Sequence, residues 1–188
     1  LDAPEEWTRH FARQELRLRG AEAVMPALEK RVTELPAGAP DWSHQLLDAI
    51  WTAQGVNQFP AAWVRELAAS TDHRARAAAL RAVYYEPDRL GADDAFAMAE
   101  RAVKDPHPQV RLWGVSLLAQ LDHPDTVKAA LACLDQERDE YLDFALWSLC
   151  REHAARWIPA VEKGNNPFGS VGALLFAVRS TDRPLATD

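Results

Sequence analysis

Asp105-Pro-His-Pro-Gln-Val-Arg-Leu-Trp-Gly-Val-Ser-Leu-Leu118 carries the helical pattern from which the rest of the chain can be understood. Val110, Trp113 with Gly114, Leu117 with Leu118, and then Leu121 fall at i, i+3/i+4, i+7/i+8 and i+11, one face of an α-helix. Pro108 suits the first turn, where a missing N–H costs nothing. The same shape occurs upstream in Asp72-His-Arg-Ala-Arg-Ala-Ala-Ala-Leu80, where Arg76 matches Arg111. Each arginine is followed three residues later by a small residue, Ala79 or Gly114. Extending that small position along the chain gives Ala12, Ala49, Ala79, Gly114 and Ala145, whose successive differences are 37, 30, 35 and 31 residues. Such steps match helical repeats of roughly 30–47 residues.

A second helix follows each of these. Val24 with Ala27, Leu28 and Leu35, Val64 with Leu67 and Ala68, Phe96 with Ala99 and Val103, and Val127 with Ala130, Leu131 and Leu134 mark them. Pro26 is expected early enough in its helix for the lost hydrogen bond to matter little. Pro, Gly and Asp gather at 36–40, 58–60, 86–91, 105–108, 122–124 and 164–169, where the helices break. The expected fold is all-α: one α-α superhelix of the HEAT or armadillo type spanning residues 1–188. Its five helical hairpins are expected at about 5–35, 41–70, 72–104, 107–135 and 138–164, with a terminal helix at about 168–180. A single hairpin cannot bury its apolar face, so stacked neighbours seal a continuous core. Residues Ser180–Asp188 are polar and expected to fray.

Composition narrows the function classes. Of 188 residues, 48% are hydrophobic and 26% charged, so the chain can bury a core and is not wholly disordered. A net charge of −7 disfavours a general nucleic-acid binder, because phosphate binding is mostly lysine and arginine work. No apolar run approaches the roughly 20 residues that span a bilayer. The sequence opens at Leu1 in mid-pattern, which reads as a piece of a longer protein. Cys133 and Cys150 lie in apolar helical contexts and form no C-x-x-C, so buried free thiols are expected, with a disulfide between adjacent helices left open.

Candidate chemistry is sparse. His10, His44, His73 and His107 precede or open first helices and are expected along one rim, yet no two stand at i, i+4 and no H-E-x-x-H occurs. Capping and interface hydrogen bonds are therefore expected of them, with no metal site. Arg9, Arg13 and Arg17, at i, i+4 and i+8, form a candidate interaction ridge for an anion or a partner, or else a solvated face paired with Glu5, Glu6, Glu15 and Glu22. Asp135, Glu137, Asp139, Glu140 and Asp143 suit a helix start better than an acid–base pair, since nothing local encloses them. Most of the seven tryptophans fall on apolar faces and are expected in the core, with one or two exposed as interface anchors. No phosphate-binding glycine motif and no G-x-S-x-G is present. Neither catalytic residues nor cofactor-binding residues are assigned.

Trp7-Thr-Arg-His-Phe-Ala-Arg13, Ser43-His-Gln-Leu-Leu-Asp-Ala-Ile-Trp51, Asp72-His-Arg-Ala-Arg-Ala-Ala78, Asp105-Pro-His-Pro-Gln-Val-Arg-Leu112 and Tyr141-Leu-Asp-Phe-Ala-Leu146 occur in this order. Together they resemble the HEAT-like region of large haem-binding proteins of the planctomycete and verrucomicrobial type. Those proteins join a sugar-dehydrogenase-like β-propeller, a helical repeat region and a c-type cytochrome domain. The resemblance, from Trp7 to about Val178, implies a scaffold or spacer in an exported, periplasmic parent, with protein partners: neighbouring domains of the same chain or another protein. It carries over no catalytic residue, since C-x-x-C-H and propeller strands are absent here. The competing expectation is an enzyme on HEAT repeats, of the DNA-glycosylase or bilin-lyase kind.

Overall fold

Arginines at the starts of first helices organise the local architecture. In a computed structural model describing residues 1, 3–36 and 38–181, all regular structure among the described residues is helical, with no strand. Ser180, expected to begin a frayed tail, is instead the buried last residue of the helix Val171–Ser180, its hydroxyl donating to the Ala177 carbonyl at 2.6 Å. Residues 182–188 of that tail, and Ala37 in the first interhelical break, lie outside the described residues. The chain divides into two compact units, Leu1–Ala82 and Val83–Asp188.

The first unit holds α1 (Glu6–Arg19), α2 (Ala21–Thr33), α3 (Trp42–Gly55), α4 (Ala61–Ala68) and most of α5 (His73–Tyr85). Gly20, at φ 78°, closes α1 and opens α2, a backbone setting that glycine adopts without steric cost. α1 packs on α2 and α3, α2 on α3, and α3 on α4. Val24 and Leu28 of α2 meet Ala49, Ala53 and Val56, with Leu16, Met25 and Trp63 packed around them. Pro26 lies at the sixth position of α2, beyond the first turn, so it removes a helical hydrogen bond that its expected early placement would have spared.

The second unit runs through α6 (Pro87–Leu90), α7 (Ala92–Ala102), α8 (Pro108–Gln120), α9 (Thr126–Ala130), a 3-10 turn at Leu131–Asp135, α10 (Glu140–Glu152), α11 (Ala154–Glu162) and α12 (Val171–Ser180). α8 packs on α7, α9 and α10, and α10 on α11 and α12. Thus first helices touch first helices (α1 with α3, α8 with α10), and each also touches the second helix that follows it. The approach of α8 to α7 requires glycine: a Cβ on Gly114 would stand 2.9 Å from Ala102 Cβ and 3.0 Å from the Val103 amide nitrogen.

One arginine device recurs. Arg9 Nη1 donates to the carbonyls of Ala3 (2.7 Å) and Pro4 (2.9 Å). Arg76 Nη1 donates to those of Ser70 and Thr71, both at 3.0 Å. Arg111 Nη1 donates to those of Asp105 (2.8 Å) and Pro106 (2.9 Å). In each case the acceptors stand six and five residues back, in the segment that leads into the helix. Carbonyls there have no ladder partner, and a guanidinium satisfies two at once. In α3 and α10 the aligned arginine is replaced by Leu46 and Leu142, both fully buried.

The small-residue column holds at Ala49, Ala79 and Gly114, which are buried. Ala12 and Ala145 are only half-buried, and Leu146 occupies the buried position in α10, one residue later than the spacing predicts. The tryptophans depart further. Only Trp157 is buried; Trp7 at 69% and Trp51 at 37% are exposed, two as expected, and the remaining four are half-buried, where most were expected in the core. An indole is too large for the closely approaching faces that alanine and glycine create.

Candidate functional site

The basic ridge is split by the fold. Arg13 Nη1 lies 2.6 Å from Asp48 Oδ1, and Arg9 Nε lies 3.5 Å from Asp48 Oδ2, a carboxylate whose side chain is 3% exposed. His44, one turn before Asp48 on α3, reaches the same carboxylate at 3.6 Å. Glu6 closes the cluster by bonding both Arg9 and Arg13 (Nη2 at 3.0 Å in the second case), and Arg13 followed by Arg9 holds its carboxyl below the usual carboxylate value. Arg9 and Arg13 therefore bind α1 to α3 and do not form a free ridge. Arg17 alone of the three projects into solvent. Asp48 was not singled out from the sequence, although a lone carboxylate inside Leu46-Leu-Asp-Ala-Ile50, facing arginines at i, i+4 spacing, was the available signal.

A stripe along α1, one edge of which borders α3, presents the second feature. Trp7, His10, Phe11, Gln14, Arg17 and Leu18 follow the i, i+3, i+4, i+7, i+10, i+11 spacing of one helical stripe. Phe11 is 53% and Leu18 83% exposed, and Trp7 meets Phe11 edge to face at 4.7 Å between ring centroids. Arg13 lies over the Trp51 ring at 5.7 Å, beside a shallow cavity of about 270 Å³ between α1 and α3. No residue of α1 is buried.

In the second unit, Arg111 is 3% exposed and gathers four acceptors: the Asp105, Pro106 and Glu137 carbonyls and Gln136 Oε1 at 3.2 Å. The acidic residues play structural parts. Asp139 accepts the Leu142 amide as the N-cap of α10, and Asp143 pairs with Arg138 at 2.6 Å. An open cavity of about 530 Å³ lies among α7, α9 and α12, lined in part by Phe96, Glu100, Lys104, Lys128, Asp135 and Phe168. Charges of both signs face it, and Lys104 is paired with Glu100 at 3.3 Å.

The histidines are dispersed. His107 Nδ1 accepts the Gln109 amide as the N-cap of α8, and His73 begins α5. His10 sits in the middle of α1, not at its start, and so leaves the expected rim. His123 stacks on Phe96, and His153 lies 3.3 Å from the Ala119 carbonyl. Among the described residues no three His, Cys, Asp or Glu side chains stand close enough to hold a metal ion together, and no helix is long and apolar enough to cross a membrane. Both thiols are free and buried; burial pushes Cys133 up to about 11 and Cys150 up to about 12. Neither thiol is a ready nucleophile at neutral pH. Searches for related proteins find no match among family models, curated proteins or solved structures.

Proposed function

We propose that the chain is a non-catalytic α-solenoid of the HEAT type that serves as an interaction scaffold, a spacer within a larger exported haem-binding multidomain protein. One observation carries the reading: the arginine device at Arg9, Arg76 and Arg111, identical in its six-back and five-back carbonyl acceptors. A device repeated at that register belongs to a repeated hairpin, and repeated hairpins stack into extended arrays. The contacts of α1 with α3 and of α8 with α10 support it, because first helices adjoin in such arrays. The placement in a haem-binding parent rests on the five sequence motifs alone.

The titratable groups favour a scaffold over an enzyme. Asp48, Glu6, Asp139 and Asp143 are engaged with arginines or a helix start, and the thiols are protonated. Small-angle X-ray scattering on the 188-residue chain tests the array: an elongated particle is expected, and a compact globe would overturn it. Haem titration and DNA-binding shifts at low salt test the rest. A Soret band on haem addition, or a salt-sensitive DNA complex of the glycosylase kind, would remove the scaffold reading.

A further inference from the structure

We infer that the Asp48 cluster is a charge-operated latch: it holds α1 on α3, and when the carboxylate loses its charge α1 comes away as a unit while α2 and α3 stay folded. Apolar packing gives α1 a small hold. Of its four large apolar side chains, Trp7 is 69%, Phe11 53% and Leu18 83% exposed, and only Leu16 packs on the Val24, Leu28, Ala49 and Ala53 core. Its neighbours are differently placed. α2 buries Val24 and Leu28, and α3 buries Leu46, Ala49, Ile50 and Ala53. Ion pairs supply the firmer hold on α1.

At neutral pH those pairs balance. Two guanidiniums, Arg9 and Arg13, face two carboxylates, Asp48 and Glu6. On α3 itself, His44 stands 3.6 Å from the Asp48 carboxylate. Among the described residues no charged side chain of α2 or α4 pairs with Asp48. Acid removes the balance from one side only. Both carboxylates become neutral and the imidazole gains a charge, which leaves three cations around one uncharged carboxyl. The Arg9 and Arg13 side chains are only 13% and 17% exposed, so water solvates them poorly where they stand. An uncompensated buried charge is strongly destabilising. Swinging both guanidiniums into water relieves it, and α1 moves with them about Gly20, the single residue between α1 and α2. Arg13 and then Arg9 hold the Glu6 carboxyl below its usual value, so its share of the hold is complete above that value and lost as pH falls further. Salt is a poor substitute for acid, because screening acts on exposed charges and the Asp48 side chain is 3% exposed.

Hydrogen exchange resolved by helix on the whole chain is the test, with each rate referred to that of unstructured peptide at the same pH. Between neutral pH and about pH 4, near the ordinary carboxylate value, α1 amides should lose protection ahead of those of α2 and α3. Asp48→Asn imitates the protonated carboxyl and should open α1 at neutral pH, with exchange there faster by about tenfold or more, while α2 and α3 keep their protection. His44→Ala removes the third cation and should move the acid opening to lower pH. Sodium chloride at about 1 M should open α1 far less than acid does. The acid series on the parent chain requires no substitution, so it decides the matter even where Asp48→Asn misfolds. Loss of protection in α1, α2 and α3 together, an α1 indifferent to Asp48→Asn, an opening that His44→Ala does not move, or salt acting as strongly as acid would each overturn the proposal.

Discussion

Arg111 and Gly114 sit three residues apart on α8 and show two ways in which one side chain settles a helix contact. Arg111 is buried and gives its Nη protons to three carbonyls and one amide oxygen. Replacing it by methionine keeps the aliphatic stem and strips those acceptors of their donor, so unfolding free energy should fall by about 2–3 kcal/mol. Urea midpoints should record that loss, and Arg111→Lys should recover only part, since an ammonium cannot span acceptors that a planar fork reaches. Gly114 poses a contest of magnitudes. Helix propensity favours alanine by about 1 kcal/mol, but the added methyl meets the Ala102 methyl and a backbone nitrogen, neither of which can swing aside. Gly114→Ala should therefore be mildly destabilising despite its propensity gain, and Gly114→Leu should cost roughly 1–3 kcal/mol, read as a lowered Tm. The importance of Gly114 was legible from its place in the small column. The inward turn of Arg9 and Arg13 was not, because spacing along one helix cannot show which side a neighbour's carboxylate will take.

At the scale of elements, apolar spacing located the helices well where alanine, leucine and valine recur, as in α3, α5 and α8. It failed where the backbone departs from the 3.6-residue period. The second helix expected to run through Leu134 ends as α9 at Ala130 and tightens into a 3-10 turn, a change that apolar pattern does not encode. That turn carries Cys133, whose thiol donates to the Val103 carbonyl at 3.2 Å and ties it to the end of α7, while Cys150 lies in the buried face of α10. Both thiols titrate above the ordinary value when folded, so the unfolded chain gives up its protons first as pH rises. The stabilisation is complete below the ordinary thiol value, declines above about pH 9, and is lost as pH passes through about 11 and then about 12. Other groups also titrate there, so the decisive quantity is the difference from a Cys133→Ser, Cys150→Ser chain. Denaturant unfolding between neutral and alkaline pH should show a steeper decline for the parent than for that double variant. Equal slopes would mean that the thiols are not buried as described.

For the whole molecule, stacked repeats and a single core would distribute stability differently. In a single-core domain every residue shares one cooperative unit, and damage anywhere lowers protection everywhere. In a stacked array each hairpin is stabilised by its own packing and by its immediate neighbours, so damage stays local. Gly114→Leu discriminates between them, because it forces apart α7 and α8 inside the second unit and leaves the Val24, Leu28, Ala49 and Ala53 core of the first unit untouched. Hydrogen exchange on the variant should show amides of α7, α8 and α10 opening faster, while those of α2 and α3 keep the protection they have in the parent chain. The converse variant, Ala53→Leu, should expose α2 and α3 and spare α8 and α10. Uniform loss of protection in either variant would show that one cooperative core spans both units, and the interpretation of Arg9, Arg76 and Arg111 as markers of successive hairpins would then have to be abandoned.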